Sequence, residues 1–312
     1  MKAIQFFAIT ALGAALFASC SNEEELATGS YPSDNLIRVT AGVNNDMTRS
    51  DEAVTPTSLT QNFSLTVVNN TNANFSYANE IFSLNGTEWS CGKKLLWQNL
   101  TTPVEIVALY PATAANTFSG VYSKENKSYG TITYSVKSDQ SKADDADDLL
   151  LYHNANFVPE KDLKGGKLNI EFKHAFCQVD IEVTIGTEFN ATNGLAANPI
   201  QGISVGGTQI AADINLASAS PTITAKGDAT SITPTPRDFT PAADATAKAV
   251  ARYSCIVIPQ TADLNIVLHT SDREFEWTGT KMALESGKQY TLQLNMTNKS
   301  ATARKFILRE RK

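Results

Sequence analysis

The stretch GGKLNIEFKHAFCQVDIEVTI, Gly165 to Ile185, alternates with period two on both sides of a short break. In its first half Leu168, Ile170 and Phe172 fall on one side, and Lys167, Asn169, Glu171 and Lys173 on the other. In its second half Cys177, Val179, Ile181, Val183 and Ile185 oppose Gln178, Asp180, Glu182 and Thr184. Successive side chains of a strand point to opposite faces, so this pattern demands two strands, each with one apolar and one wet face. A helix would repeat its apolar positions every three or four residues, and no segment after residue 20 does so over three turns. The chain is therefore expected to be all-β.

The same alternation recurs on either side. It predicts strands at Leu36–Asn44, Phe63–Val68, Val104–Tyr110, Tyr129–Val136, Leu149–Tyr152, Ile200–Val205, Tyr253–Ile258, Leu264–His269, Glu274–Gly279 and Gln289–Met296. Strands at this spacing, with Gly, Asn and Pro between them, imply antiparallel sandwiches. VPEKDLKGG, Val158 to Gly166, interrupts two apolar segments and predicts two β-sandwich domains, 36–160 and 161–297, followed by a C-terminal tail, 298–312. Ala217–Ala251, rich in Ala, Thr, Ser and Pro, reads as a long surface excursion.

The N-terminus has a different logic. Met1-Lys2 is cationic, Ala3–Phe17 is apolar apart from Gln5 and Thr10, and Ala18-Ser19 are small, the three-part plan of a signal peptide over 1–19. The run is too short for a membrane span, which needs ~20 apolar residues. Cys20 follows the small residues directly, and Ser21-Asn-Glu-Glu-Glu25 opens an acidic tether over 20–35.

Composition supports real cores, with 42% hydrophobic residues in 312, while a net charge of −6 and no dense block of Lys or Arg argue against nucleic acid as a partner. Candidate chemistry is sparse. Gly202-Ile-Ser-Val-Gly206 satisfies G-x-S-x-G, yet a nucleophile elbow needs a helix next, and Gly207-Thr-Gln-Ile210 reads instead as a turn between strands. Asp144–Asp148 gathers carboxylates but lacks the glycine and distal glutamate of a calcium loop. His153, His174 and His269 have no metal-site spacing, so no metal and no cofactor are expected. Trp89, Trp97 and Trp277 read as core residues, with a sugar-stacking row as the rival reading. Cys91, Cys177 and Cys255 cannot form a full disulfide framework; Cys177 and Cys255 are read as buried thiols, with one bridge between them left open.

Taken in order, several blocks resemble the fimbrillin family of Bacteroidetes, subunits of pili assembled from lipoprotein precursors. These are LIRVTAGVNNDMTRSDEA, LLWQNLTTPVEIVALYP, DDLLLYHNANF, GGKLNIEFKHAFCQVDIEV, YSCIVIPQT and GKQYTLQLNM, preceded by an N-terminus similar to a lipobox with an acidic export tag. The resemblance implies two tandem transthyretin-like antiparallel β-sandwich domains and no enzyme activity. It implies that Cys20 is lipidated and anchors the protein at the outer membrane on the cell surface. It also implies that an arginine-specific protease cuts at Arg49, with Arg38 a weaker candidate because it would be shielded inside the first strand. Cutting would free a removable strand carrying Ile37, Val39, Ala41 and Val43, and another fimbrillin subunit would then add a strand in its place. Phe306, Ile307 and Leu308 form a short donor segment, but only Thr297–Lys312 follow the last expected strand. A tip, accessory or anchor role in pilus assembly or adhesion to a host or bacterial surface is thus favoured over a shaft role. The rival from another class is a non-polymerising glycan-binding surface lipoprotein.

Overall fold

Residues 31–43, 59–113, 118, 121–126, 128–142, 148–217 and 221–311 are described by a computed structural model. The first half of the chain contributes β1 (Val39–Val43), β2 (Phe63–Val68), β3 (Tyr77–Asn85), β4 (Glu88–Ser90) and β5 (Val104–Tyr110). A small pair, β6 (Tyr122–Ser123) and β7 (Ser128–Tyr129), precedes β8 (Thr131–Ser135), β9 (Leu150–Phe157) and β10 (Leu168–His174). The second half contributes β11 (Cys177–Ile185), β12 (Gly202–Gly206), β13 (Gln209–Asn215), β14 (Thr222–Ala229) and β15 (Thr235–Thr240). It ends with β16 (Ala249–Val257), β17 (Gln260–His269), β18 (Glu274–Leu284), β19 (Lys288–Met296) and β20 (Ala301–Glu310). The fold is all-β, as the alternation requires, and among the described residues one α-helix, the four-residue Pro159–Asp162, lies where VPEKD breaks the pattern.

Seven strands close into a ring in the order β1-β10-β9-β5-β2-β3-β4. Its core is aromatic at the centre: Phe63 lies 5.2 Å from Phe82, 4.8 Å from Trp89 and 5.7 Å from Phe172, ring centre to ring centre. Trp97 stacks on Phe157 at 5.6 Å and is buried in the same core. Beyond the ring, a five-stranded sheet, β15-β16-β11-β19-β20, shares a second core with two three-stranded sheets, β12-β17-β18 and β14-β13-β8. β5 belongs to both cores. Ile106, Ala108 and Tyr110 point into the ring, whereas Val107 and Leu109 point into the second core. A strand buried on both faces needs no polar positions, which is why VEIVALY reads as an almost continuous apolar run.

Three expectations from sequence need correcting. Pairing does not divide the chain at residue 160: β10 completes the ring, while β8 pairs with β13 and places Tyr134 in the second core. Ala217–Ala251 is not mainly an excursion, because β14 and β15 lie within it. Pro236 is tolerated there because β15 is an edge strand, where a missing N–H costs no ladder bond. The tail expected after the last strand, 298–312, is itself mostly a strand, because β20 pairs with β19 from Ala301↔Met296 to Glu310↔Lys288.

Ser204 sits inside β12, and the turn after it uses Gly207 at φ +85°, where a Cβ would lie 1.9 Å from the Asp263 carbonyl oxygen. The segment is thus strand, turn, strand. Cys177 and Cys255 are free, buried thiols on adjacent strands, displaced by two in register, since Cys177 faces Val257 and Cys255 faces Val179. Diagonal neighbours stand about 7 Å apart, well beyond the ~3.8 Å that a disulfide needs between Cβ atoms. Burial pushes the Cys177 thiol up to about 12 and raises that of Cys255. At pH 8 Cys177 is then held as the unreactive thiol. Iodoacetamide at that pH is expected to label the half-exposed Cys91 in the folded protein, and Cys177 and Cys255 only after denaturation. Peptide mass mapping checks this, and rapid labelling of Cys177 in the folded state would contradict the packing.

Candidate functional site

The ring closes at β1, and the chemistry there is that of backbone pairing. β1 runs parallel to β10, with Val39 opposite Leu168 and Val43 opposite Phe172. Just before it, the Leu168 N–H donates to the Arg38 carbonyl at 2.8 Å, and the Thr40 hydroxyl donates to Asn169 Oδ1 at 3.0 Å. On its other side β1 meets β4 through the single pair Val39↔Trp89. Upstream, the Ile37 N–H donates to the Leu95 carbonyl at 2.9 Å, and the Trp97 N–H to the Asn35 carbonyl at 2.8 Å. The β1–β4 side is therefore the thin seam of the ring. A cleft of about 270 Å³ lies beside it, lined by Ile37, Val39, Phe82, Trp89 and Leu95 among others.

Side chains follow the alternation. Ile37, Val39 and Val43 are buried in the ring core, and Ala41 packs against it half-buried. Burying an aliphatic side chain of this size stabilises by ~1.5–3 kcal/mol, so the three together contribute roughly 5–9 kcal/mol. A domain's whole net stability is only ~5–15 kcal/mol, so an emptied seat calls for another occupant. The seat itself is made by Leu168, Ile170 and Phe172 of β10 with the aromatic cluster around Phe63. Sequence reading found the alternation of β10 but not its neighbour, because a parallel partner about 130 residues away leaves no local signal.

Arg38 departs from expectation. Its backbone is held by Leu168, but its side chain is exposed and grips Asp34 with two hydrogen bonds, 2.9 and 2.5 Å. Those bonds, with the Leu36 N–H, hold the Asp34 carboxyl down to about 2. The arginine is shielded through its peptide rather than its guanidinium. Cys20 and Arg49 lie outside the described residues, as do Asp144, Asp145 and Asp147. Asp148 is described and is engaged by Arg311 and His174. His153 is buried and bonds Glu105 Oε1 through Nε2 at 2.8 Å, while His269 faces Glu274 at 3.0 Å. Among the described residues no three His, Cys, Asp or Glu side chains gather for a metal ion. Trp89 and Trp277 are half-buried against the two cores, so with Trp97 they form no exposed row.

At the other end of the chain, β20 is the outermost strand of the five-stranded sheet. Phe306 and Leu308 stand opposite Leu292 and Tyr290, yet are 38% and 53% exposed, while Ile307 is half-buried opposite Thr291. Phe306 stacks on Tyr290 at 5.3 Å. Among the described residues no helix is long and apolar enough to cross a membrane.

Val39→Asp is expected to destabilise the protein by on the order of 4 kcal/mol, since it puts an unpaired charge against the Phe63 cluster. Arg38→Ala, which removes only a solvent-exposed pair, should leave stability nearly unchanged. Urea unfolding of both variants checks the contrast, and a loss below ~1 kcal/mol for Val39→Asp would contradict the assigned seat.

A family model described as fimbrillin-like matches residues 38–306. No curated protein matches. Among solved structures, the chain is similar to a proposed cell adhesion protein from Bacteroides uniformis, at 14% identity and a TM-score of 0.60, covering 89% of this chain and 99% of that one. A second, from Bacteroides ovatus, gives 14% identity and a TM-score of 0.59, covering 89% and 98%. A fimbrial protein from Bacteroides vulgatus gives 12% identity and a TM-score of 0.52, covering 88% and 99%. At these identities the solved structures show a shared all-β fold, and the family match over most of the chain shows that it belongs to the fimbrillin-like family.

Proposed function

We propose that this chain is a surface-exposed pilus or adhesion subunit, and that its first strand is a temporary occupant of a seat meant for a strand of another fimbrillin subunit. The observation that carries this reading is the seam: a strand near the N-terminus completes a closed ring through full pairing on one side and a single pair on the other. Such a strand can leave as a unit. Its departure uncovers the backbone edge of β10 and the pockets of Ile37, Val39 and Val43, and an incoming strand supplies hydrogen bonds and apolar side chains at once. Arg49 lies six residues past Val43, so cutting there separates β1 from all that follows.

In this reading the two cores belong to transthyretin-like sandwich domains joined through β5. Cys20 carries the lipid that holds the precursor at the outer membrane, and the acidic residues after it direct it to the cell surface. The placement of β20 on its own sheet favours a tip, accessory or anchor role over a shaft subunit, because a strand already paired must first be released before it can be donated. A host or bacterial surface ligand would be the target of adhesion.

Digestion of the purified precursor with an arginine-specific protease is expected to yield one sharp product beginning at Ser50; cutting scattered over many arginines removes the processing site. Cys20→Ala is expected to abolish fatty-acid labelling and release the protein from the outer membrane fraction. Labelling that persists would rule out the anchor.

A further inference from the structure

β20 is held weakly along most of its length and strongly at its end. Thr302, Ala303, Lys305, Phe306 and Leu308 to Glu310 are exposed, and beyond the ladder with β19 the strand has the Phe306–Tyr290 stack and the Lys288–Glu310 ion pair at the surface. Exposed pairs of this kind contribute little.

The next residue is different. The Arg311 guanidinium donates to both carboxylate oxygens of Asp148, at 2.8 and 2.6 Å, with the two side chains only 7% and 17% exposed. The geometry is the two-pronged arginine–carboxylate pairing, which is stronger and more directional than a single contact. Asp148 Oδ2 also accepts from His174 Nδ1 at 2.7 Å, and the Arg311 N–H donates to the Gly287 carbonyl at 2.8 Å. Asp148 precedes β9 and His174 ends β10, so the residue that follows β20 is fastened to the segment entering β9 and, through Asp148, to the end of β10. Arg311 and His174 also line an open cleft of about 620 Å³.

We infer that Arg311 and Asp148 form a clasp that keeps the C-terminal strand on its own sheet and so governs whether that strand can be offered to a second copy of the chain. The second half of this statement rests on the strand-addition function proposed above; the first half does not. Opening the clasp leaves the edge strand attached by a ladder whose other side is solvent, and edge ladders fray first. Asp148 and Arg311 are thus positioning residues, because they act on the strand through its end.

The test is hydrogen exchange on the full-length chain, comparing wild type with Arg311→Gln, Arg311→Lys and Asp148→Asn, and with Lys288→Gln as a surface control. The clasp predicts that amides of β20 exchange about tenfold faster or more in Arg311→Gln and Asp148→Asn, with those of β11 and β16 unchanged. Arg311→Lys, which keeps the charge but not the fork, should fall between, and Lys288→Gln should match wild type. Unchanged β20 exchange in Arg311→Gln and Asp148→Asn overturns the clasp, and so does equal acceleration in β11, which would signal general unfolding. Sedimentation of the same variants after cutting at Arg49 tests the second half. More self-association than in cut wild type supports strand donation, whereas faster β20 exchange without it leaves the clasp standing and overturns control of donation.

Discussion

Closure of the seven-stranded ring is the constraint on which the N-terminal half of this protein depends. Every strand inside a sheet must satisfy backbone groups on two sides, and a ring satisfies them all only when its last strand is in place. Here that strand is β1, five residues long, supplied from near the N-terminus and lying over the Phe63 cluster. Burial of its Val39 and Val43, with Ile37 just before it, contributes an amount comparable to the net stability of a small domain. On the function proposed above, a molecule built this way would be stable while the strand is present and would take up another strand once it is gone.

Both described ends of the chain are thus strands at exposed or thinly paired positions, and they are held by different means. β1 is secured by its apolar side chains and by parallel pairing with β10. β20 contributes few buried side chains and is secured by its ladder and by the part-buried pair between Arg311 and Asp148. Apolar burial is lost only when the strand departs as a whole, whereas a terminal ion pair can open first and let the strand peel from its end. On the function and the clasp proposed above, the two ends would be released by different events, a cut in the one case and a local opening in the other.

Much of this was legible in the amino-acid order, and the parts that were not have identifiable causes. Strands with a regular alternation or a continuous apolar run announced themselves: Cys177–Ile185 by the first, Phe63–Val68 and Val104–Tyr110, buried on both faces, by the second. β14 and β15 were hidden because their side chains are largely exposed on both faces, leaving polar runs that resemble a loop. β20 was hidden because basic residues surround its apolar triplet. The division of the chain was misplaced because β5 is shared between cores and because β8 and β10 each pair across it. Period-two patterns say which way a side chain points, not which strand lies alongside. The seat for β1 and the Asp148–Arg311 pair both depend on that second kind of information, since they join residues about 130 and 163 positions apart.

The central claim is that β1 can be vacated and its place refilled, and the amides of β10 that face β1 report this directly. Hydrogen exchange at Leu168–Phe172 is to be followed in the intact chain, after cutting at Arg49 and removal of the 1–49 fragment, and again after adding a peptide spanning Leu36–Asn44. The account predicts slow exchange in the intact chain, loss of that protection once the fragment is gone, and its return with the peptide, while β11 stays protected throughout. Protection of β10 that survives complete removal of the fragment, or that no added strand restores, would contradict it.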